Sequence, residues 1–135
     1  MKIFTFQTAL WRQVDQCNVP RIDISWKIGE KLFAPEPDLL FAYKRGEVDE
    51  ATYSRRYREI LQQRFDQNPI PFLKLSAYDT VAFNCFCSGA GFCHRFLFVE
   101  FLTQLFHTEY IGEISKEGII PGFVEHGHFI PTHRL

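Results

Sequence analysis

Apolar and polar positions alternate in several short runs along the chain. Residues 2–6 (KIFTF) alternate and are rich in strand formers, and residues 21–26 (RIDISW) set Ile22, Ile24 and Trp26 against Arg21, Asp23 and Ser25. A period of two predicts a strand at each. Residues 80–86 (TVAFNCF) form a nearly continuous apolar run, the pattern of a buried strand, and residues 109–114 read as a fourth.

Elsewhere the period is helical. Tyr53, Tyr57, Ile60, Leu61 and Phe65 fall on one stripe, with Asp49 placed to cap the helix that carries them, over residues 50 to about 65. Pro37 suits a first helical turn, which predicts a short helix over 38–45 ended by Gly46. Asn68, Pro69 and Pro71 break the long helix, and residues 72–77 add another turn or two. A mostly apolar helix opens at Cys93 or His94 and runs through Phe106. Residues 118–135, mixed in Gly, Pro and His, predict no element.

Strand, strand, two helices, strand, helix, strand predicts an α/β fold, a three-layer, mostly parallel open sheet of about four to five strands with helices on both faces. With no repeat or linker, one domain spans residues 1–135.

Composition narrows the class. Apolar residues are 46% and charged residues 23%, the balance of a globular chain. Lys and Arg number 15 against 16 Asp and Glu, so no overall basic field draws nucleic acid. The aromatic content is unusual: fifteen Phe, five Tyr and two Trp. No apolar run is long enough to cross a membrane, and three of the four cysteines (Cys85, Cys87 and Cys93) are too clustered for a secreted disulfide framework. A soluble protein of the reducing cytoplasm is expected, with no membrane partner.

The chemistry concentrates in CFCSGAGFCHR, Cys85 to Arg95, where a buried strand leads through a Gly-containing loop to a helix start. Gly89 and Gly91 permit close backbone approach to a ligand, Ser88 adds a hydroxyl, and the helix's first turn with His94 and Arg95 favours an anion. Open α/β sheets bind ligands beyond the carboxyl ends of their strands. Asp23 and Ser25, at the end of the second strand, therefore face the same crevice, and a carboxylate opposite an anion cradle suits a nucleotide or sugar phosphate.

The Walker pattern is absent. Cys85, Cys87, Cys93 and His94 are zinc-ligand types, but C-x-C-x5-C-H is not the paired knuckle spacing, so buried reduced thiols are the expectation and no metal or cofactor is assigned. Cys93, at a helix N-terminus, is the candidate nucleophilic thiol. Arg55, Arg56 and Arg58 read as a solvated helix face.

At Cys93-His94-Arg95 followed by an apolar helix, the chain resembles the DUF488 family of small bacterial and phage proteins. Arg21-Ile22-Asp23-Ile24-Ser25 looks like the family's strand ending in Asp, and residues 53–61 (YSRRYREIL) look like its Tyr-rich helix. The resemblance spans roughly residues 1 to 115. Ser25 stands where the family often has Arg, and Ser88-Gly89-Ala90-Gly91-Phe92 where it often has acidic residues. It implies an α/β fold related to nucleoside-processing, deoxyribosyltransferase-like proteins, without a known reaction.

The expectation is a domain that binds or processes a nucleoside, nucleotide or nucleotide-sugar. Ser25, Ser88, Gly89, Gly91, His94 and Arg95 hold the ligand, and Asp23 and Cys93 are the candidate catalytic groups. The alternative is a non-enzymatic interaction protein whose aromatic surface takes a protein, a nucleic acid or a second copy of the chain.

Overall fold

The structure is a computed structural model that describes residues 1–87 and 91–132. Six strands and five helices follow one another as β1 (Lys2–Gln7), α1 (Trp11–Gln16), β2 (Arg21–Asp23), α2 (Pro37–Lys44), α3 (Glu50–Gln67), α4 (Ile70–Leu75), β3 (Thr80–Cys85), α5 (His94–Leu105), β4 (Glu109–Ser115), β5 (Gly118–Glu125) and β6 (His128–Pro131). The strands make one sheet in the order β2-β3-β1-β4-β5-β6. The first four are mutually parallel, and β5 and β6 return as antiparallel strands. The α/β class is as expected, with six strands where about four to five are expected from the pattern.

The two strands of the C-terminal hairpin account for that difference. Along β5, outward-facing positions are exposed and Pro121 and Gly122 interrupt the run, so the alternation that marks a half-buried strand is missing. Strand β2 is also shorter than its pattern. The Asp23 carboxylate accepts the Ser25 amide at 2.8 Å, and the Glu30 amide bonds back to the Asp23 carbonyl at 2.8 Å, which turns the chain out of the sheet. The short helix α1 carries too few turns to show a period.

Helix α3 forms as its stripe predicts. Tyr53, Tyr57 and Leu61 are buried, and Asp49 caps it by accepting the Thr52 amide at 2.7 Å. Its apolar stripe meets α2, α4 and α5 over one face of the sheet, where Ile3, Val81, Phe83 and Phe98 fill the main core. Val14 of α1 covers the opposite face with Phe6, Ala82 and Ile114. The crossover after β1 thus runs over one face and that after β3 over the other. Because these strands are neighbours, the carboxyl edge has a switch point there. Of the fifteen Phe, only Phe41, Phe86 and Phe123 are exposed, so the core hides most of the aromatic content. Among the described residues no helix is long and apolar enough to cross a membrane.

Candidate functional site

Strand β3 ends at Cys85, the chain leaves the sheet at Phe86 and Cys87, and it returns through Cys93 into α5. The return is pinned from the C-terminal hairpin: the Cys93 amide donates to the Gly127 carbonyl at 2.9 Å, and Phe92 bridges to His128. Glu100 of α5 holds that hairpin turn by accepting the Gly127 amide at 2.7 Å and the His126 amide at 3.1 Å. Gly127 has φ +79°, and a Cβ there would meet the Phe92 ring at 2.4 Å, so the turn needs glycine.

This route gathers four side chains. The sulfurs of Cys85, Cys87 and Cys93 and a ring nitrogen of His94 all lie within 4.8 Å of one another, and Cys85 and Cys93 approach to 2.9 Å between sulfurs. The unpaired spacing nevertheless gathers them, because Cys85 is the last residue of β3 and Cys87 is already off the strand and free to turn back. His94 is buried. Its Nε2 faces the Ile24 carbonyl at 3.0 Å, and its Nδ1 has no hydrogen-bond partner among the described residues.

Arg95 is completely buried. Its guanidinium meets Glu113 of β4 through Nη2 at 2.7 Å and Nε at 3.3 Å, a bidentate pair. Glu113 also accepts the Thr5 hydroxyl at 2.6 Å, and Thr5 in turn accepts from the Tyr110 hydroxyl at 2.6 Å. Arg95 Nη1 lies 3.4 Å from Cys85 Sγ and 3.5 Å from the Cys87 carbonyl. The fork expected to face a ligand is directed into the core, because position 95 lies on the side of α5 that covers the sheet.

The thiols divide unequally. Burial disfavours a Cys85 thiolate, yet hydrogen bonds from the Cys87 and Cys93 thiols, with His94 and Arg95 beside it, outweigh burial and hold Cys85 well below the usual thiol range. Donation to Cys85 pushes Cys87 up to about 11. Cys93, the expected nucleophile, goes the other way: burial and its hydrogen bond to Cys85 raise it well above the ordinary thiol.

Beside the cluster, at the carboxyl ends of β2 and β3, lies a cavity of about 200 Å³. Ser25, Trp26, Lys27, Lys44, Phe86, Cys87 and His94 line it. The Ser25 hydroxyl is buried with no hydrogen-bond partner among the described residues. Asp23 stands behind Ser25 and holds its amide. Gly29 closes that turn, where a Cβ would come within 2.6 Å of the Asp23 carboxylate. Of the expected site residues, Ser25 and His94 reach the cavity and Asp23 supports it. Gly91 is exposed and apart, and Ser88 and Gly89 lie outside the described residues. Trp26, Lys27, Lys44 and Phe86 were not read from the sequence as site residues, nor were Thr5, Tyr110 and Glu113.

A wider groove of about 900 Å³ runs beside α3. Exposed charges of both signs line it, including Glu50, Arg55, Arg58 and Glu59, with Arg55 and Glu59 paired at 3.6 Å. Arg55, Arg56 and Arg58 of α3 are thus the solvated face expected, and His128, which pairs with Glu50 at 2.7 Å, takes no part in the sulfur cluster.

The model of the DUF488-N3a family, described as the active DUF488-N3 subclade, matches residues 13–105. The match takes in β2, α3, β3 and the whole Cys85 to Arg95 segment, and the chain belongs to this family. No curated protein and no solved structure matches it.

Proposed function

We propose that this DUF488-N3a protein binds a small anionic ligand of nucleoside or nucleotide type in the cavity at the carboxyl ends of β2 and β3. The observation that carries the reading is the Ser25 hydroxyl, buried without a hydrogen-bond partner among the described residues in the wall of a cavity that Lys27, Lys44, Trp26 and Phe86 also line. A buried hydroxyl without a partner costs free energy until a ligand satisfies it. Aromatic walls accept a planar ring, and ammonium groups attract phosphate.

Size sharpens the class. At about 200 Å³ the cavity is smaller than the roughly 300–1,000 Å³ of ordinary ligand pockets. It takes one base or sugar ring, with the charged part of the ligand outside against the lysines. In this arrangement Asp23 sets the turn that presents Ser25, and the buried Arg95–Glu113 pair fixes the wall beneath Cys87.

A thermal-shift panel of nucleosides, nucleotides, sugar phosphates and plain phosphate at fixed salt tests this. A ligand at about 100 times its Kd stabilises the fold by roughly 2.7 kcal/mol, a shift of several degrees. A nucleotide-class compound is expected to exceed plain phosphate, and Lys44→Ala to abolish the difference. A flat panel would overturn the reading. It would turn attention to the second one, an interaction protein, which the exposed Ile119, Ile120 and Phe123 of β5 favour and which a concentration-dependent mass in light scattering would support.

A further inference from the structure

We infer that Cys85, Cys87, Cys93 and His94 form a tetrahedral site for a zinc-type divalent cation, at the edge of the ligand cavity and independent of the ligand reading. Three thiols and one imidazole are a donor set of structural zinc centres. With Zn–S bonds of about 2.3 Å, ligand atoms on a tetrahedron stand about 3.8 Å apart. The four donor atoms bracket that value, with Cys85 and Cys93 sulfurs at 2.9 Å and no pair beyond 4.8 Å.

A second observation points the same way. The His94 ring is buried, and its Nε2, set against the Ile24 carbonyl, is the nitrogen that carries the proton. Nδ1 is left with a lone pair and no partner among the described residues. A ring whose outer N–H is held by a backbone carbonyl while the inner nitrogen points to a ligand is how metal-binding histidines are oriented. The outer shell continues on the sulfur side. Arg95 places Nη1 3.4 Å from Cys85 Sγ, and Glu113, Thr5 and Tyr110 hold the guanidinium there. Binding forms three S–M bonds and one N–M bond. The protons remaining on the thiols leave to solvent, and nothing is oxidised or reduced.

The site is also a fastener. It joins the end of β3 to the start of α5, and the hairpin turn at Gly127 holds Cys93 in place. The cation therefore ties Cys85 and Cys87 to Cys93 and His94.

The test uses the full chain, purified without chelator, supplied with zinc, desalted, and assayed for metal by elemental mass spectrometry. Wild type and Cys17→Ser, which changes an exposed cysteine remote from the site, are expected to retain about one zinc per chain. Cys87→Ser is expected to lose affinity by more than the roughly 10–100-fold that removal of an outer-shell partner costs. Cobalt(II) added to chelator-treated wild type is expected to give the intense visible bands of a tetrahedral thiolate complex. That measurement decides the question even if Cys87→Ser does not fold. Three results would overturn the proposal: metal well below stoichiometry in zinc-loaded wild type, full retention by folded Cys87→Ser, or a cobalt spectrum without thiolate bands. Loss of two hydrogens in the intact mass, with Cys85 linked to Cys93, would overturn it in favour of a disulfide. No nucleotide enters these measurements, so failure here and failure of the ligand panel are read separately.

Discussion

Replacing Glu113 by Gln removes one charge from a pair that has no water to fall back on. Side-chain exposure is 0% for Arg95 and 5% for Glu113, and two N–H···O contacts join them at 2.7 and 3.3 Å. Breaking such a pair from one side leaves the other charge buried, which costs about 3–5 kcal/mol. The amide oxygen of Gln still accepts one hydrogen bond, so the lower part of that range is expected. That is a large fraction of the roughly 5–15 kcal/mol that holds a domain folded. At roughly 3–6 °C per kcal/mol for a chain of this size, the melting point falls by about 10–20 °C. Urea unfolding of wild type, Glu113→Gln and the double variant Glu113→Gln with Arg95→Met measures it. The double variant should be more stable than Glu113→Gln alone, because it no longer buries a guanidinium opposite a neutral amide. Glu47→Gln, which breaks the exposed pair with Arg45, serves as the near-neutral control. A loss below about 1 kcal/mol in Glu113→Gln, or a double variant less stable than Glu113→Gln alone, would refute the reasoning.

Two further outcomes follow from buried groups elsewhere in the fold. Burial raises the phenols of Tyr53, Tyr57 and Tyr110 above the ordinary value, whereas an unfolded phenol ionises near pH 10. The folded state therefore holds these protons more tightly. The stability they contribute is complete below about pH 10 and is lost as pH rises beyond it. Phenolate absorbance read alongside circular dichroism should show these tyrosines ionising only as the chain unfolds, and complete ionisation of a still-folded chain would contradict this. Gly112 sits where the register of β4 against β1 shifts, and a Cβ there would meet the Ile120 carbonyl oxygen at 2.2 Å. Gly112→Ala must push β5 away from β4, at a cost of more than about 2 kcal/mol, and chemical denaturation indistinguishable from wild type would show that the strand pair yields freely.

What could be read from the sequence was what is local. Strands β1, β3 and β4 and helix α3 each carry their own period, and the Asp49 cap lies within one turn of the amide it binds. Hairpin β5–β6 was not legible, because its stability comes from pairing with β4 and from the Glu100 contacts to its turn, while most of β5 faces solvent. The site divides along the same line. Its sulfur, imidazole and guanidinium groups come from one short segment, Cys85 to Arg95, and the sequence pointed there. Which way each group faces is set by distant partners: Thr5 and Glu113 stand opposite each other in the β1–β4 register, more than a hundred residues apart in sequence.

One local signal did exist for the missing half. In helix α5, Arg95 stands among buried apolar residues and Glu100 lies between Val99 and Phe101, and in strand β4 Glu113 is buried between Gly112 and Ile114. A charge in the middle of a buried element has to find an opposite charge or a set of backbone donors, since burying it alone is prohibitive. Arg95 and Glu113 find each other, and Glu100 finds the amides of His126 and Gly127. A buried ion pair adds little net stability compared with apolar residues of the same volume, so stability alone is a poor reason for this one. Its geometry supplies a better reason. Glu113 fixes a guanidinium whose remaining arm reaches Cys85 Sγ and the Cys87 carbonyl, and Glu100 fixes the turn that holds Cys93. Arg95 directly, Glu113 through Arg95 and Glu100 through the Gly127 turn thus all act on the segment that carries the three cysteines.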